Sequence, residues 1–242
     1  MKEKSFVIGK NSVLESLKFG TINYILSSRL IPAEILTLAK QKGIVIKNCN
    51  SKILNSICRG KNHQGIVAQI SSRKYFDVDD ILCFADKENK PAFILILDKI
   101  SDPQNFGSII RTAEFMGVHG IIIRKRGAVA ITPTVEKSSS GALEHIMISR
   151  VGSLVRVLDF LKKKGIWICG TDSCGENFHK FSNFFKSPVA LVIGSEGDGM
   201  SRLVKDKCDF ILSIPLLGKT NSLNASVAAG IFIQKVVEER SK

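Results

Sequence analysis

The chain has 242 residues, 44% hydrophobic and 24% charged, a composition that excludes a disordered chain, a collagen-like repeat and a coiled-coil rod. Its 35 Lys and Arg against 22 Asp and Glu give a formal net charge of +13. No apolar run approaches the roughly 20 residues that span a bilayer. The start, MKEKSFVIGKNS, carries basic residues without the apolar stretch of a secretory signal, so a soluble, cytoplasmic protein is expected. The charge is uneven: residues 1–75 hold 13 basic and 3 acidic side chains, 76–90 hold 2 and 5, and 91–242 hold 20 and 14. A basic N-terminal third suits a polyphosphate partner, because each phosphate contact releases counterions. Six cysteines (Cys49, Cys58, Cys83, Cys169, Cys174 and Cys208) form no CxxC pair and lie at no zinc spacing from a histidine. Reduced thiols and no metal are expected.

In chain order, residues 11–19 and 33–42 carry apolar residues at helical spacing, the second helix closed by Gly43. INYIL, IVIKNC and GIVAQI read as short strands, which gives a small α/β domain over 1–75. Residues 76–90 read as a linker with one short helix at DDILCF. From Pro91 on, the apolar strands AFILIL, GIIIR, IWICG, VALVIG and FILSIP alternate with helices at 105–116, 153–164, 199–207 and 222–239. Continuous apolar strands between helices predict a mostly parallel sheet covered on both faces, in a second α/β domain over 91–242. Ligands of such sheets bind beyond the carboxyl ends of the strands, so the loops after strands are where chemistry is sought.

Three such loops stand out. In LDKISDPQNFGSIIRTAEFMG (97–117), Asn105 is placed to cap the following helix, and Arg111 sits among apolar neighbours. That arginine reads either as a side chain snorkelling out of an amphipathic helix or as a fork of donors aimed at a phosphate. In VALVIGSEGDGMS (189–201) the glycines are ordered GxxGxG, not GxGxxG, so this is no dinucleotide fingerprint. Glu196 among them favours a neutral or cationic ligand over a pyrophosphate. In LSIPLLGKTNSLNASVAAGI (212–231), Gly218-Lys219-Thr220 has the end of a P-loop but Ser213 where its first glycine belongs, which excludes ATP and GTP. What remains is an apolar loop suited to a flat base, then Ser222 and Asn224 at a helix start.

Together these loops resemble the three motifs of the SpoU-type (TrmH) RNA 2'-O-ribose methyltransferases of the SPOUT superfamily, in the family's order and spacing. TPTVEKSSSGALEHI resembles the family's connecting segment, and VIGKNSVLESL and KNHQGIVAQI resemble the ends of its small substrate-binding domain. The nearest members are those that methylate a guanosine of 23S ribosomal RNA. The resemblance implies a trefoil-knotted domain that binds S-adenosylmethionine, a homodimer, and an N-terminal RNA-binding domain like a ribosomal protein. It places the cofactor against Gly194, Ile214 and Leu223, and the functional polar side chains at Asn105, Arg111, Glu196, Ser222 and Asn224. Ala225 and Phe106 depart from the usual family residues. Guanidinium stays protonated, so Arg111 is expected to grip the phosphate beside the target ribose rather than act as a base. Transfer RNA as substrate, and a non-catalytic RNA-binding role on the same scaffold, remain open alternatives. The five filled polar positions argue against the second. His63 and His145, outside the motifs, read as structural.

Overall fold

The computed structural model describes residues 5–19, 22–58, 60, 62–70, 75–177, 184–215, 217–219 and 222–242. Leu216 and Thr220, and with them part of the apolar loop and the P-loop-like triplet, lie outside the described residues. The chain divides into two units, Met1–Lys74 with Ile131–Lys137, and Tyr75–Ala130 with Ser138–Lys242.

The first unit runs β1 (Ser5–Ile8), α1 (Lys10–Phe19), β2 (Ile22–Ser27), α2 (Ala33–Gln41), β3 (Val45–Asn48), α3 (Ser51–Cys58) and β4 (Ile66–Ile70). Its sheet has the order β1-β4-β2-β3, with β4 antiparallel to both neighbours and β3 parallel to β2. Successive side chains of a strand face opposite ways, so β4 feeds two cores. Ile66 and Ala68 pack with Val13 and Leu17 of α1 and Ile35 and Ala39 of α2, while Val67 packs with Leu54 and Cys58 of α3. Each helix supplies a buried pair four residues apart, the spacing that keeps two side chains on one face. The four-residue β1 and eight-residue α3 were not anticipated, being too short for a period to show.

The second unit contains α4 (Val78–Lys87), β5 (Phe93–Leu97), α5 (Pro103–Phe115), β6 (Gly120–Arg124), a 3-10 turn at Ala142–Glu144, β7 (Met147–Val151), α7 (Leu154–Lys163), β8 (Trp167–Asn177), β9 (Val189–Ile193), α8 (Arg202–Lys205), β10 (Phe210–Ser213) and α9 (Ala225–Arg240). A further helix, α6 (Pro133–Ser138), falls across the division between the units. The six strands are ordered β10-β8-β9-β5-β6-β7, and every pairing is parallel. All five residues of β5 and of β9, the two middle strands, are buried, which is why both read as unbroken apolar runs. After β7 the chain returns to the other side of β5, so β5 and β9 lie at a switch point of the sheet, where loops diverge and leave a crevice.

The short helix expected at DDILCF within 76–90 is present as α4, ten residues long, with Ile81 and Ala85 buried and Ile81 within the main apolar cluster of the second unit. Two expectations are corrected. The helix read over 199–207 is a single turn, because residues 195–199 are spent on a tight hairpin with Ser195 N donating to Gly199 O and Gly199 N to Ser195 O. Asn105 is not the cap of α5. Pro103, with no N–H to satisfy, occupies the first helical position, and the Asp102 carboxylate caps the helix by accepting from Asn105 N at 2.7 Å.

Candidate active site

The loops after β5, β9 and β10 meet through one carboxylate. Glu196 Oε1 accepts from Asn105 Nδ2 at 3.0 Å, from Ala225 N at 3.1 Å, and from Asn224 Nδ2. Asn224 Nδ2 also donates to Asn105 Oδ1 at 3.0 Å. The Oδ1 of Asn224 caps α9, accepting from Ser226 N at 2.9 Å. One residue from each of the three sequence motifs is therefore tied to the other two. The negative charge sits at the N-terminus of α9, where unpaired N–H groups favour it.

Beside this junction lies a cavity of about 380 Å³, within the range of small-molecule sites. Gly194, Glu196, Ile214, Ser222 and Leu223, all proposed from the sequence, line it. A Cβ at Gly194 would stand 2.3 Å from Gly199 C and Met200 N. The glycine is therefore required by the loop's own closure as well as by its place on the wall. Ala228 and Phe232 of α9 give an apolar side, and the polar side carries the carboxylates of Glu196, of Asp172, paired with Lys205, and of Asp198, paired with Lys99 at 3.7 Å. Such a wall suits a ligand with an apolar flat part and positive charge. Partial burial raises the Asp172 carboxyl, but the hydrogen bond from Lys205 Nζ at 2.7 Å and its neighbours outweigh this and hold it below the usual range.

Arg111 does not reach this cavity. It lies six residues beyond Asn105 along α5, about 9 Å at the rise of a helix, and lines a separate groove of about 540 Å³ with Ser139, Ser140 and His145. Its Nη1 donates to Ser140 Oγ at 3.4 Å, and Ser140 itself holds φ +50, a left-handed conformation uncommon outside glycine. Among the described residues Arg111 has no carboxylate partner, so its charge is free for an anion. His145 shares this groove and is exposed, while Asn55 Oδ1 lies 2.9 Å from His63 Nε2 in the first unit.

The sequence reading missed Asp98, which is fully buried at the end of β5. Its Oδ2 accepts from Ser201 N at 2.7 Å and its N donates to Ile193 O at 2.9 Å, which pins the glycine-rich loop to the end of β5. A charged residue ending the run FILIL was the signal available. Thr171, Asp172 and Ser173 of β8 also line the cavity, but only the pairing of β8 with β9 and β10 brings them there.

A parallel sheet with a ligand cavity at its switch point, and three loops joined by Asn105, Glu196 and Asn224, define an α/β protein with a small-molecule cavity and a separate groove that presents an arginine. The matches with known proteins agree and are more specific. The model of the SpoU rRNA methylase family matches residues 92–234, and that of the RNA 2'-O ribose methyltransferase substrate-binding domain matches residues 6–76. A Bacillus subtilis (strain 168) protein named as a TrmH family tRNA/rRNA methyltransferase, YacO, is 46% identical over 246 residues, spanning 99% of this chain and 98% of its own. A Staphylococcus saprophyticus protein named as a member of the same family is 41% identical over 245 residues, covering 99% of this chain and 97% of that one. The SpoU methyltransferase AviRb of Streptomyces viridochromogenes, solved with AdoMet, superposes with a TM-score of 0.65 at 26% identity, covering 98% of this chain and 91% of that one. The chain belongs to the SpoU family of RNA methyltransferases.

Proposed function

We propose that this protein transfers a methyl group from S-adenosylmethionine to a ribose 2'-hydroxyl of RNA, with a guanosine of 23S ribosomal RNA as the target, in the cytoplasm and as a homodimer on a trefoil-knotted domain. The observation that carries the reading is the junction of Asn105, Glu196 and Asn224 beside an acidic, partly apolar cavity. The wall fits the cofactor: Gly194 offers bare backbone, Ile214, Leu223 and Phe232 offer an apolar face for adenine, and the carboxylates complement a sulfonium and an ammonium. When bound, the cofactor supplies an electrophilic methyl group.

The chain's own residues then have to align a hydroxyl with that methyl group and let its proton leave. Alignment alone is worth up to about 7–11 kcal/mol of barrier. Arg111 grips the phosphate next to the target ribose from its groove. That phosphate, or a water it orders, would take the 2'-hydroxyl proton as the oxygen accepts the methyl group that the bound cofactor would supply. Asn105 and Asn224 are held in one orientation by Glu196, and the exposed Ser222 offers a hydroxyl at the cavity mouth. The basic segment 1–75 acts as the substrate-binding domain, 76–90 as the link and 91–242 as the catalytic domain. Mapping 2'-O-methyl groups in cellular RNA with and without the gene tests the reading. Loss of one mark in 23S ribosomal RNA supports it, a mark lost from transfer RNA instead redirects the substrate, and no lost mark overturns it.

A further inference from the structure

The first unit has one end at which four segments converge. Because β2 and β3 run parallel and β4 runs against β1 and β2, the exits of β1, β2 and β3 and the entry of β4 lie side by side, with Ile8 opposite Val67 and Ser27 opposite both Ile66 and Asn48. Residues 8–12, 27–31, 48–53 and 62–66 therefore form one surface, and these segments contain no Asp or Glu. They do contain Lys10, Arg29 and Lys52, all exposed and, among the described residues, in no ion pair. The nearest acid along the chain is Glu34, in the first turn of α2 just after residues 27–31, and it is paired with Lys18 at 2.9 Å.

The amides here are arranged in one sense. Gln64 Oε1 accepts from Lys10 N at 3.0 Å, Asn62 Oδ1 from Gln64 N at 3.1 Å, and Asn50 Oδ1 from Lys52 N at 3.1 Å. His63 Nδ1 accepts from Gly65 N at 3.0 Å, so in the neutral ring Nε2 carries the proton and donates to Asn55 Oδ1 at 2.9 Å. In each case a backbone or ring N–H donates to the carbonyl oxygen, which fixes the amide's orientation and leaves its NH2 group as a donor. The turn is fixed by Gly65 at φ +83, whose Cβ position is filled to 3.0 Å by the Arg29 stem. Leu30, next to Arg29, is 98% exposed. A surface of cations and N–H donors matches a chain of phosphates, and an isolated exposed Leu adds an apolar contact for a sugar or base.

Resting on the reading of the protein as an RNA methyltransferase, we infer that this end of the first sheet, centred on Arg29, Leu30 and the turn Asn62–Gly65, is the surface that grips the phosphate backbone of the substrate RNA. The decisive variant is Gln64→Glu, which keeps the oxygen that accepts from Lys10 N and replaces the outward donor by a negative charge. Its control is Lys40→Gln, the same charge change on α2 far from the strand exits. The probe is an unmodified 23S ribosomal RNA transcript, with transfer RNA transcripts as a second probe, bound to the full-length protein in a filter assay at fixed salt.

The expected result is a Kd at least tenfold weaker for Gln64→Glu and within twofold of normal for Lys40→Gln, with cofactor affinity and melting temperature unchanged. Arg29→Gln, on an exposed side chain, should weaken binding about as much and covers the case in which Gln64→Glu misfolds. Leu30→Ser should raise Kd severalfold without changing the salt dependence. Equal weakening by Gln64→Glu and Lys40→Gln would reduce the effect to overall charge and overturn the inference, as would unchanged binding in Gln64→Glu and Arg29→Gln, or a change of oligomeric state in place of RNA affinity. If wild-type protein methylates no RNA, the proposed function fails; if it methylates normally and these variants match it, only this surface fails.

Discussion

The two sheets hold opposite charges at their working ends. In the first unit the segments at the strand exits carry Lys10, Arg29 and Lys52 and contain no Asp or Glu, the acid that follows them, Glu34, is paired with Lys18, and amide groups there have NH2 donors to offer. In the second, the strand exits close around Asp172, Glu196 and Asp198, and the amide groups of Asn105 and Asn224 are spent on Glu196. A mixed sheet with short loops leaves its ends open and suits a long polyanion, which needs many weak contacts. A parallel sheet with a switch point encloses a cavity and suits one small cationic molecule. The difference teaches that the net charge of +13 does not describe the site: the basic protein builds its cavity from carboxylates.

The sharpest way to break this comparison is at Glu196. Glu196→Gln keeps the shape but puts a neutral amide where three donors converge. Hydrogen bonds to a charged acceptor are worth about 1.5–3 kcal/mol each, so a fall of about 100-fold in single-turnover methylation is expected. A rate within threefold of normal would show that the junction is not needed. Gly194→Val is a less clean probe, since its Cβ would collide with backbone at 2.3 Å, and loss of cofactor binding should there accompany loss of stability.

Arg111 tests the separation of cavity and groove. Arg111→Ala should cut the methylation rate on the order of 100-fold while cofactor affinity, read by calorimetry, stays normal. Arg111→Lys should recover only a small part, because lysine lacks the planar fork that grips phosphate. If both variants methylate at the normal rate, the arginine is only a snorkelling surface residue; if both lose cofactor affinity, the two sites are not separate.

Salt should sharpen the contrast between the units. RNA affinity should fall about tenfold or more between 50 and 200 mM salt, since each phosphate contact on a single strand contributes about −0.7 to the logarithmic slope. Cofactor affinity over the same range should change less than twofold. Equal salt responses would undo the division of labour. The smallest effect concerns the thiols. Burial pushes Cys169 and Cys208 up to about 12, so both stay protonated at pH 8, whereas Cys83 and Cys174 are exposed. Iodoacetamide at pH 8 should label Cys83 and Cys174 in the native protein and reach Cys169 and Cys208 only after denaturation, as read by peptide mass spectrometry. Labelling of Cys169 in the native state would mean that the second sheet opens readily.

The residues themselves determined a good deal. Unbroken apolar runs fixed β5 and β9 as buried parallel strands, because burial on both faces leaves no alternation to find. The three loops named Asn105, Glu196 and Asn224 before any coordinates, since those polar residues stood at the ends of apolar strands or the starts of helices. What only the tertiary structure decided is what each of them touches. The capping role passed from Asn105 to Asp102, because Pro103 starts the helix earlier and turns Asn105 toward Glu196. Asp98, Thr171 and Asp172 entered the site through strand pairing and backbone contacts between segments far apart in the chain, such as Asp98 with Ser201. Arg111 left the cavity for a groove of its own because six helical residues carry it about two turns away. Local pattern reports which face of a strand or helix is buried; which loops then meet at its end depends on strand order, and no local pattern records that.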